Sequence, residues 1–231
     1  MRRAAVLTGG SRGIGLATAR LFAAAGYEVI SLSRSAPLGA DIGHIATDIT
    51  DLASVEAAGR SLVTRAAHWE QIVLVHNAAL HRHDTVARLK ADDFLHVLTA
   101  NLVAPQALNR ALVPVMGAGS SILYIGSTLA EKAVAGAASY VVSKHGMVGL
   151  MRATCQDMAG RGIHTACICP GFTDTEMLRA HVGDAVDVIT SMVTAGRLVA
   201  PDEIGRLVRV CAENPALNGA VLHANLGQIE R

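Results

Sequence analysis

Short apolar runs alternate along the chain with longer segments in which apolar residues recur every three to four positions. The short runs predict β-strands, and the longer periodic segments predict α-helices. The strands are expected at Ala4–Leu7, Glu28–Leu32, Ile42–Ala46, Ile72–His76, Ser121–Ile125, Ile163–Cys169 and Ala220–His223. The helices are expected at Ile14–Ala25, Leu52–Ala67, Asp92–Val115, Ser139–Gly160 and Pro201–Ala212. This alternation predicts an α/β fold, with a doubly wound parallel sheet of about seven strands and helices on both faces.

No linker or internal repeat divides the sequence, so residues 1–231 are predicted to form a single domain. Right-handed crossovers between the strands then give a Rossmann-type sheet. The segment Phe172–Val199 is longer than an ordinary loop and has mixed helical character. Segments of this size in compact domains often serve as lids or binding loops, and we expect a substrate-binding role for this one.

The composition narrows the functional classes. Hydrophobic residues make up 51% of the chain and aromatic residues only 3%, so the core must consist mainly of Ala, Val, Leu and Ile. The net charge of +1 does not favour a nucleic-acid or anionic-membrane partner. No apolar run approaches the roughly 20 residues of a membrane span, and no signal-peptide pattern is visible, so a cytoplasmic protein is expected. The four cysteines lack Cys-x-x-Cys spacing and are predicted to be small packing residues.

A glycine-rich turn lies between the first predicted strand and the first predicted helix. Gly9, Gly13 and Gly15 have the spacing Gly-x-x-x-Gly-x-Gly. Small residues at such a turn let the backbone bend tightly and approach a pyrophosphate at the helix N-terminus. The alternative is a tight turn without a ligand.

Tyr140 and Lys144 form a Tyr-x-x-x-Lys sequence in a chain that has only three tyrosines. On a helix, positions i and i+4 share a face, so the phenol and the ammonium group can point into one pocket. A nearby cation favours the phenolate form of a phenol and makes it a usable acid or base near neutral pH. Ser127 lies thirteen residues before the tyrosine.

These motifs, taken in order, resemble the classical short-chain dehydrogenase/reductase family. The resemblance runs from Ala4 to about Ala224. Its elements are Thr8 to Gly15, Asp48, Asn77-Ala78-Ala79, Asn101, Ser127, Tyr140 to Lys144, and Pro170-Gly171. The chain departs from the family pattern at His76 and Ala79, and it lacks the family's frequent Asp-Gly-Gly near the C-terminus.

The resemblance implies a nicotinamide dinucleotide cofactor. Its contacts would be Gly9, Ser11, Arg12, Gly13, Ile14, Gly15, Arg34, Asp48, Ile49, Asn77, Ala78, Tyr140, Lys144, Pro170, Gly171, Phe172, Thr173 and Thr175. No carboxylate stands near Ser33, where NAD enzymes usually carry one, and Arg34 with Arg12 can bind a 2′-phosphate. NADP(H) is therefore expected. Asp48 would lie near the adenine; its alternative role is to cap the following helix.

The resemblance also implies four catalytic residues. Tyr140 would be the general acid in reduction and the general base in oxidation. Lys144 would favour the phenolate and bind the nicotinamide ribose, and Ser127 would polarise the substrate carbonyl. Asn101 would hold a water that links Lys144 to solvent. Hydride transfer develops charge on the carbonyl oxygen, so donors must already point at that oxygen.

Two classes of function remain open at this stage. The leading hypothesis is an oxidoreductase that interconverts a carbonyl and a secondary alcohol, with a 3-oxoacyl thioester as one substrate option. The other is a dinucleotide-binding sensor without catalysis. No metal site is expected, because His81 and His83 lack further ligands. The resemblance implies that the predicted helices Asp92–Val115 and Ser139–Gly160 correspond to those that pair in oligomers of the family. The second carries more apolar surface than one contact with its own sheet needs, so a homodimer or homotetramer is expected.

Overall fold

A seven-stranded parallel sheet forms the centre of the computed structural model, which describes residues 2–39 and 41–228. The strands are β1 (Arg3–Thr8), β2 (Glu28–Ser33), β3 (Ile42–Ala46), β4 (Gln71–His76), β5 (Ser121–Ile125), β6 (His164–Pro170) and β7 (Ala220–Ala224). Their order in the sheet is β3-β2-β1-β4-β5-β6-β7. The predicted doubly wound α/β fold is confirmed.

Helices cover both faces of the sheet. They are α1 (Gly13–Ala24), α2 (Leu52–Ala66), α3 (Ala91–Leu98), α4 (Ala104–Leu112), α5 (Ala138–Asp157), α6 (Glu176–Val182), α7 (Val186–Ser191) and α8 (Pro201–Glu213). Helices α1 and α8 pack on one face, and α2, α4 and α5 pack on the other. Alternate residues of each central strand point to opposite faces, as Val6 and Leu7 of β1 do. Within the described ranges, every helix is too short or too polar to cross a bilayer.

The prediction of one continuous helix over Asp92–Val115 is wrong. Helix α3 ends at Leu98, a π-helical turn follows at Thr99–Val103, and α4 then runs to Leu112 before a short 3₁₀ turn. The amide of Ala104 donates to the carbonyl of Thr99, five residues earlier. Pro105 has no amide hydrogen to donate to the carbonyl four residues before it, so regular α-helical bonding cannot continue through this point. Such π-turns are frequent at functional sites.

The segment that follows β6 forms short helices before α8. It contains α6, a 3₁₀ turn at Gly183–Ala185, and α7. Its two ends are joined where the amide of Val199 donates to the carbonyl of Phe172, at 2.8 Å, and the amide of Asp174 donates to the carbonyl of Val199, at 2.9 Å. The segment is thus a closed loop with helices of its own, placed next to the carboxyl end of the sheet.

Candidate active site

The carboxyl ends of β1, β4, β5 and β6 meet at one edge of the sheet, which is where open α/β sheets bind ligands. Asn77 follows β4 and Ser127 comes just after β5. The amino-terminal part of α5, which carries Tyr140 and Lys144, contacts the turn after β5 and the π-helical turn. Residues distant in sequence therefore converge at this edge.

Lys144 lies almost wholly inside the protein. The side chain is 1% exposed, and Nζ donates a 2.7 Å hydrogen bond to the carbonyl oxygen of Ile125. Nζ also lies 5.3 Å from the centroid of the Tyr140 ring. A positive charge that is shielded from bulk water interacts more strongly with a neighbouring aromatic ring and phenol than an exposed charge does.

Ser127 is oriented by the backbone that follows it. Its backbone is extended, and its Oγ accepts a 3.1 Å hydrogen bond from the amide of Leu129. The hydroxyl hydrogen therefore remains able to donate to a ligand oxygen. Gly126 brings the chain close to β6, because a Cβ at this position would lie 2.7 Å from the Sγ of Cys169.

The side chain of Asn101 ties three parts of the site together. Its Oδ1 accepts from the amide of Leu80 at 2.7 Å, and its Nδ2 donates to the carbonyl of Leu80 and to Ser143 Oγ, each at 2.9 Å. The side chain is fully buried. These bonds use the amide group to join the π-helical turn, the segment after β4 and α5. The expectation that Asn101 also holds a water for Lys144 stays a prediction.

Sequence reasoning missed two residues beside Tyr140. The ring of His81 lies 4.8 Å from the ring of Tyr140, centroid to centroid, in an edge-on contact. Asp84 accepts hydrogen bonds from the amide and hydroxyl of Ser139, the residue before the tyrosine. Burial raises the pKa of Asp84, but the bonds from Ser139 and Ala138 outweigh it and hold that pKa below its usual value.

His81 and His83, which the sequence offered as a weak metal candidate, make different contacts. His83 packs over Gly136, whereas His81 faces Tyr140. Across the described ranges, no cluster of three or more His, Cys, Asp or Glu side chains is arranged to hold a metal ion.

The cysteines behave mainly as packing residues, as predicted. Cys167, Cys169 and Cys211 are buried, and Cys155 is partly exposed; all four are free thiols. The Sγ atoms of Cys167 and Cys169 are 3.9 Å apart under Gly126. The hydrogen bond between Cys167 and Cys169 raises the pKa of Cys167, and burial raises it further.

The glycine turn is built for close backbone approach. Gly9 and Gly13 have positive φ angles of 70° and 53°, which favour glycine. A Cβ on Gly15 would overlap the carbonyl oxygen of Gly9. Helix α1 begins at Gly13 without an acidic side chain in its first turn. Its amino terminus therefore offers backbone amides and the positive end of the helix dipole to an anion.

Asn77 and Ala78 fix this turn against β4. The Nδ2 atom of Asn77 donates to the carbonyls of Thr8 and Gly9, at 2.9 and 3.2 Å. The backbone amides of Asn77 and Ala78 both donate to Thr8 Oγ1 at 3.0 Å. In this structure the two residues shape the cradle, and they do so although Ala79 replaces the usual glycine.

The two arginines expected at a 2′-phosphate have different surroundings. Arg34 directly follows β2 and is exposed. Arg12 forms a 2.9 Å ion pair with Glu176 of α6, and both side chains are largely exposed. Ser33, where an acidic residue would repel a phosphate, donates through its hydroxyl to the carbonyl of Ser35 at 2.8 Å.

Asp48 is not the cap of the next helix. Its Oδ1 accepts from the amide and hydroxyl of Thr50, at 2.9 and 2.8 Å, and these bonds lower its pKa. The N-cap of α2 is Asp51, whose side chain accepts from the amide of Ala53. Ile49, the neighbour of Asp48, packs against the core on the α2 face of the sheet.

The segment after β6 reaches back to the glycine turn. A Cβ on Gly171, which follows Pro170, would lie 2.7 Å from the Cβ of Asn225. Thr173 donates through its hydroxyl to the carbonyl of Gly171 at 3.0 Å. Thr175 caps α6, and its Cγ2 lies 3.2 Å from where a Cβ on Gly13 would be. Phe172 joins these residues to the loop ends described above.

Residues 9–228 match the family model described as Enoyl-(Acyl carrier protein) reductase. A 3-oxoacyl-[acyl-carrier-protein] reductase of Salmonella typhimurium is 33% identical over 235 aligned positions, covering 96% of each chain. An acetoacetyl-CoA reductase of Shinella zoogloeoides is 34% identical, covering 99% of each.

Solved structures of dehydrogenases are also similar to this chain. The aldohexose dehydrogenase of Thermoplasma acidophilum is similar with a TM-score of 0.90 and 26% identity, over 98% of this chain and 94% of that one. A short-chain dehydrogenase of Burkholderia cenocepacia in complex with NADP is similar with a TM-score of 0.89 and 28% identity, over 98% and 97%. Sequence and structure thus agree that the chain belongs to the short-chain dehydrogenase/reductase family, in its classical form.

Proposed function

We propose that the protein is an NADP(H)-dependent oxidoreductase that interconverts a carbonyl and a secondary alcohol, with Tyr140 as proton donor in reduction. The observation that carries this proposal is the buried ammonium group of Lys144, held 5.3 Å from the Tyr140 ring at the edge of the sheet. A buried charge is costly unless something uses or compensates it. Here its partners are one backbone carbonyl, the sulfur of Met147 at 4.0 Å and the ring of a candidate acid.

The roles of the residues follow from their contacts. Bound NADPH would supply the hydride. Ser127 donates its hydroxyl hydrogen to the substrate oxygen, since its Oγ already accepts from Leu129. Tyr140 gives its proton to the same oxygen, and Lys144 stabilises the phenolate that remains. Asn101 acts as a positioning residue through its bonds to Leu80 and Ser143.

The residues of the nucleotide site fit a nicotinamide dinucleotide phosphate. The cradle at Gly9, Gly13 and Gly15 leaves no room for side chains, and the start of α1 attracts an anion. Arg34 and Arg12 bring positive charge to the site, without a carboxylate at Ser33. The similarity to a dehydrogenase solved with NADP supports the choice of NADP over NAD.

A 3-oxoacyl thioester is the leading substrate class. The proposal rests on relatives that include the Salmonella and Shinella enzymes, 33% and 34% identical, whose names specify 3-oxoacyl-carrier and acetoacetyl-CoA reduction. The stretch Pro114–Ser120, before β5, contains no Lys or Arg. A basic docking surface for an acidic carrier protein is therefore not visible in that stretch.

A steady-state screen tests the proposal. We expect NADPH to be oxidised with acetoacetyl-CoA, and more slowly or not at all with simple ketones. Aldohexoses would be tested in the oxidative direction with NADP, because the chain is similar to an aldohexose dehydrogenase. If NADPH binds but no carbonyl or alcohol in the panel turns over, the catalytic proposal fails. The alternative, a dinucleotide-binding sensor, would then stand.

We also propose a homodimer or homotetramer with two-fold symmetry. Leu95 on α3, Val103 in the π-helical turn and Val142 on α5 are 60%, 41% and 48% exposed. Apolar side chains exposed on neighbouring elements favour a protein contact. Light scattering should give a mass of two or four chains, and a 24 kDa monomer at micromolar concentration would contradict this proposal.

A further inference from the structure

The contact between His81 and Tyr140 joins two residues that the catalytic motifs do not link. Their ring centroids are 4.8 Å apart and the ring planes meet at 63°. This is an edge-to-face arrangement, which aromatic rings prefer and which restricts the rotation of both. His81 is partly buried, on the loop between β4 and α3.

The loop that carries His81 is fixed on both sides of the histidine. On the near side, the backbone amide and carbonyl of Leu80 are both bonded to the Asn101 side chain. On the far side, the carboxylate of Asp84 is bonded to Ser139, and its amide donates to the carbonyl of Gly136 at 3.0 Å. The position of His81 is therefore set by anchors one and three residues away.

The same anchors hold the helix segment that carries Tyr140. Ser139 precedes the tyrosine, and Ser143, one helical turn later, donates to the Tyr140 carbonyl at 2.7 Å and accepts from Asn101 at 2.9 Å. Both serines are fully buried. The loop and the helix are thus clamped to each other on both sides of the His81–Tyr140 contact.

The charged groups around this contact are Asp84 and Lys144. The charge of His81 lowers the pKa of Asp84, in addition to the hydrogen bonds described above, so the two side chains interact electrostatically. Lys144 contacts Tyr140 through its Nζ atom. His81 therefore contacts the phenol ring of Tyr140 directly and interacts with the carboxylate of Asp84 through charge.

We propose that His81 is a positioning residue, which holds the phenol ring of Tyr140 in the orientation that delivers its proton. A tyrosine side chain has two rotatable bonds before the hydroxyl, and the anchors on the backbone of α5 do not fix them. The contacts with Lys144 and His81 do. The inference rests on the proposed function, because it assigns a role in the proton transfer by Tyr140.

Four variants, assayed with acetoacetyl-CoA and with the best ketone of the screen, test the inference. We expect His81→Ala to lower kcat roughly tenfold, with little change in KM or in the Kd for NADPH, since the lost contact aligns the acid and binds neither ligand. His81→Phe retains an aromatic ring and should recover most of the lost kcat. His83→Ala, on the same loop but packed over Gly136, should behave as wild type.

The fourth variant, Tyr140→Phe, separates failure of the inference from failure of the proposed function. If Tyr140→Phe is inactive and His81→Ala keeps a kcat within about twofold of wild type, the inference is wrong and the function stands. An equal loss in His81→Ala and His81→Phe would also overturn it, because ring contact would not be the cause. If Tyr140→Phe remains active, or no substrate turns over, the proposed function itself fails.

Discussion

Two neighbouring regions of the molecule are held in opposite ways. The catalytic wall, defined as residues 76–81, 84, 99–103 and 138–144, is joined by buried hydrogen bonds through Asn101, Ser139 and Ser143. The outer segment, residues 171–199, is closed by backbone bonds and buries Thr173, Val193 and Val199, but its charged contacts lie at the surface. They include the ion pairs of Arg12 with Glu176 and of Arg179 with Asp174.

This difference distinguishes the region expected to transfer the proton from the region expected to select the substrate. Interactions at the surface contribute little free energy and weaken with salt, whereas buried bonds are costly to break. The catalytic wall is therefore set before a substrate arrives. The outer segment also exposes Met177 and Val188, which are 49% and 64% accessible. We therefore expect substitutions in the outer segment to change substrate preference without disturbing the proposed proton donor.

The largest effects should come from the catalytic wall. Tyr140→Phe keeps the ring and its contacts with Lys144 and His81 but removes the proton. Reduction should fall by the ~10²–10⁴-fold attributed to general acid catalysis, while the Kd for NADPH is unchanged. Lys144→Ala should damage both rate and cofactor binding. Single-turnover kinetics and fluorescence titration measure the two quantities, and a Tyr140→Phe variant that retains most of its rate would refute the assignment.

Buried polar groups of the wall also predict how stability depends on pH. Burial lowers the pKa of His76 to about 4, against an ordinary value of 6.5, although its bond to Asn109 acts in the opposite direction. The unfolded chain therefore binds a proton between these values and the folded protein does not. The contribution of neutral His76 to the free energy of unfolding is fully present above pH 6.5 and is lost as the pH falls toward 4. At about 1.36 kcal/mol per pH unit, the loss approaches ~3 kcal/mol by pH 4.

Denaturant unfolding of His76→Gln at several pH values checks this expectation. The glutamine amide can still donate to Asn109 but does not titrate, so the decline in unfolding free energy between pH 6.5 and 4 should be less steep than in wild type. His68→Gln, at an exposed position, provides the matched control. Parallel declines in wild type and His76→Gln would show that His76 does not stay neutral in the fold.

Sequence could predict those parts of the molecule that depend on local spacing. The strands of the sheet follow from short apolar runs, and the i and i+4 positions place Tyr140 and Lys144 on one helix face. The π-helical turn was missed because the effect of Pro105 depends on a bond to an earlier carbonyl, which hydrophobic periodicity does not show. The contact of His81 with Tyr140 was missed because those residues meet only when separate elements pack. Arg12 and Glu176 are 164 positions apart, so their pairing was equally hidden.

The predicted cofactor site includes residues of both regions. A substitution in this site is expected to have an effect of intermediate size. Arg34 follows the sheet, and Arg34→Asp would replace a phosphate-binding charge with a repelling one. The Kd for NADPH should rise tenfold or more, about 1.4 kcal/mol for each tenfold, while the Kd for NADH changes much less. Arg206→Asp on α8, on the face opposite α2, makes the same change in net charge and should alter neither. Equal losses for both cofactors would contradict the 2′-phosphate assignment.

The smallest effect is expected where the outer segment contacts the glycine turn. Glu176 holds Arg12 in an exposed ion pair, so a 2′-phosphate must compete with that carboxylate for the arginine. Glu176→Gln should therefore tighten NADPH binding by roughly two- to fivefold at low ionic strength, the range expected of a surface pair. The gain should disappear in high salt and should be absent for NADH.

Asp174→Asn is the matched control, because that carboxylate pairs with Arg179 inside the outer segment and does not reach Arg12. Calorimetric titration of both variants at two salt concentrations measures these differences. Unchanged binding in Glu176→Gln would show that Arg12 does not serve the phosphate. A tenfold or larger gain would show that the outer segment is coupled to the cofactor site as strongly as the buried bonds couple the catalytic wall, and the contrast between the two regions would no longer hold.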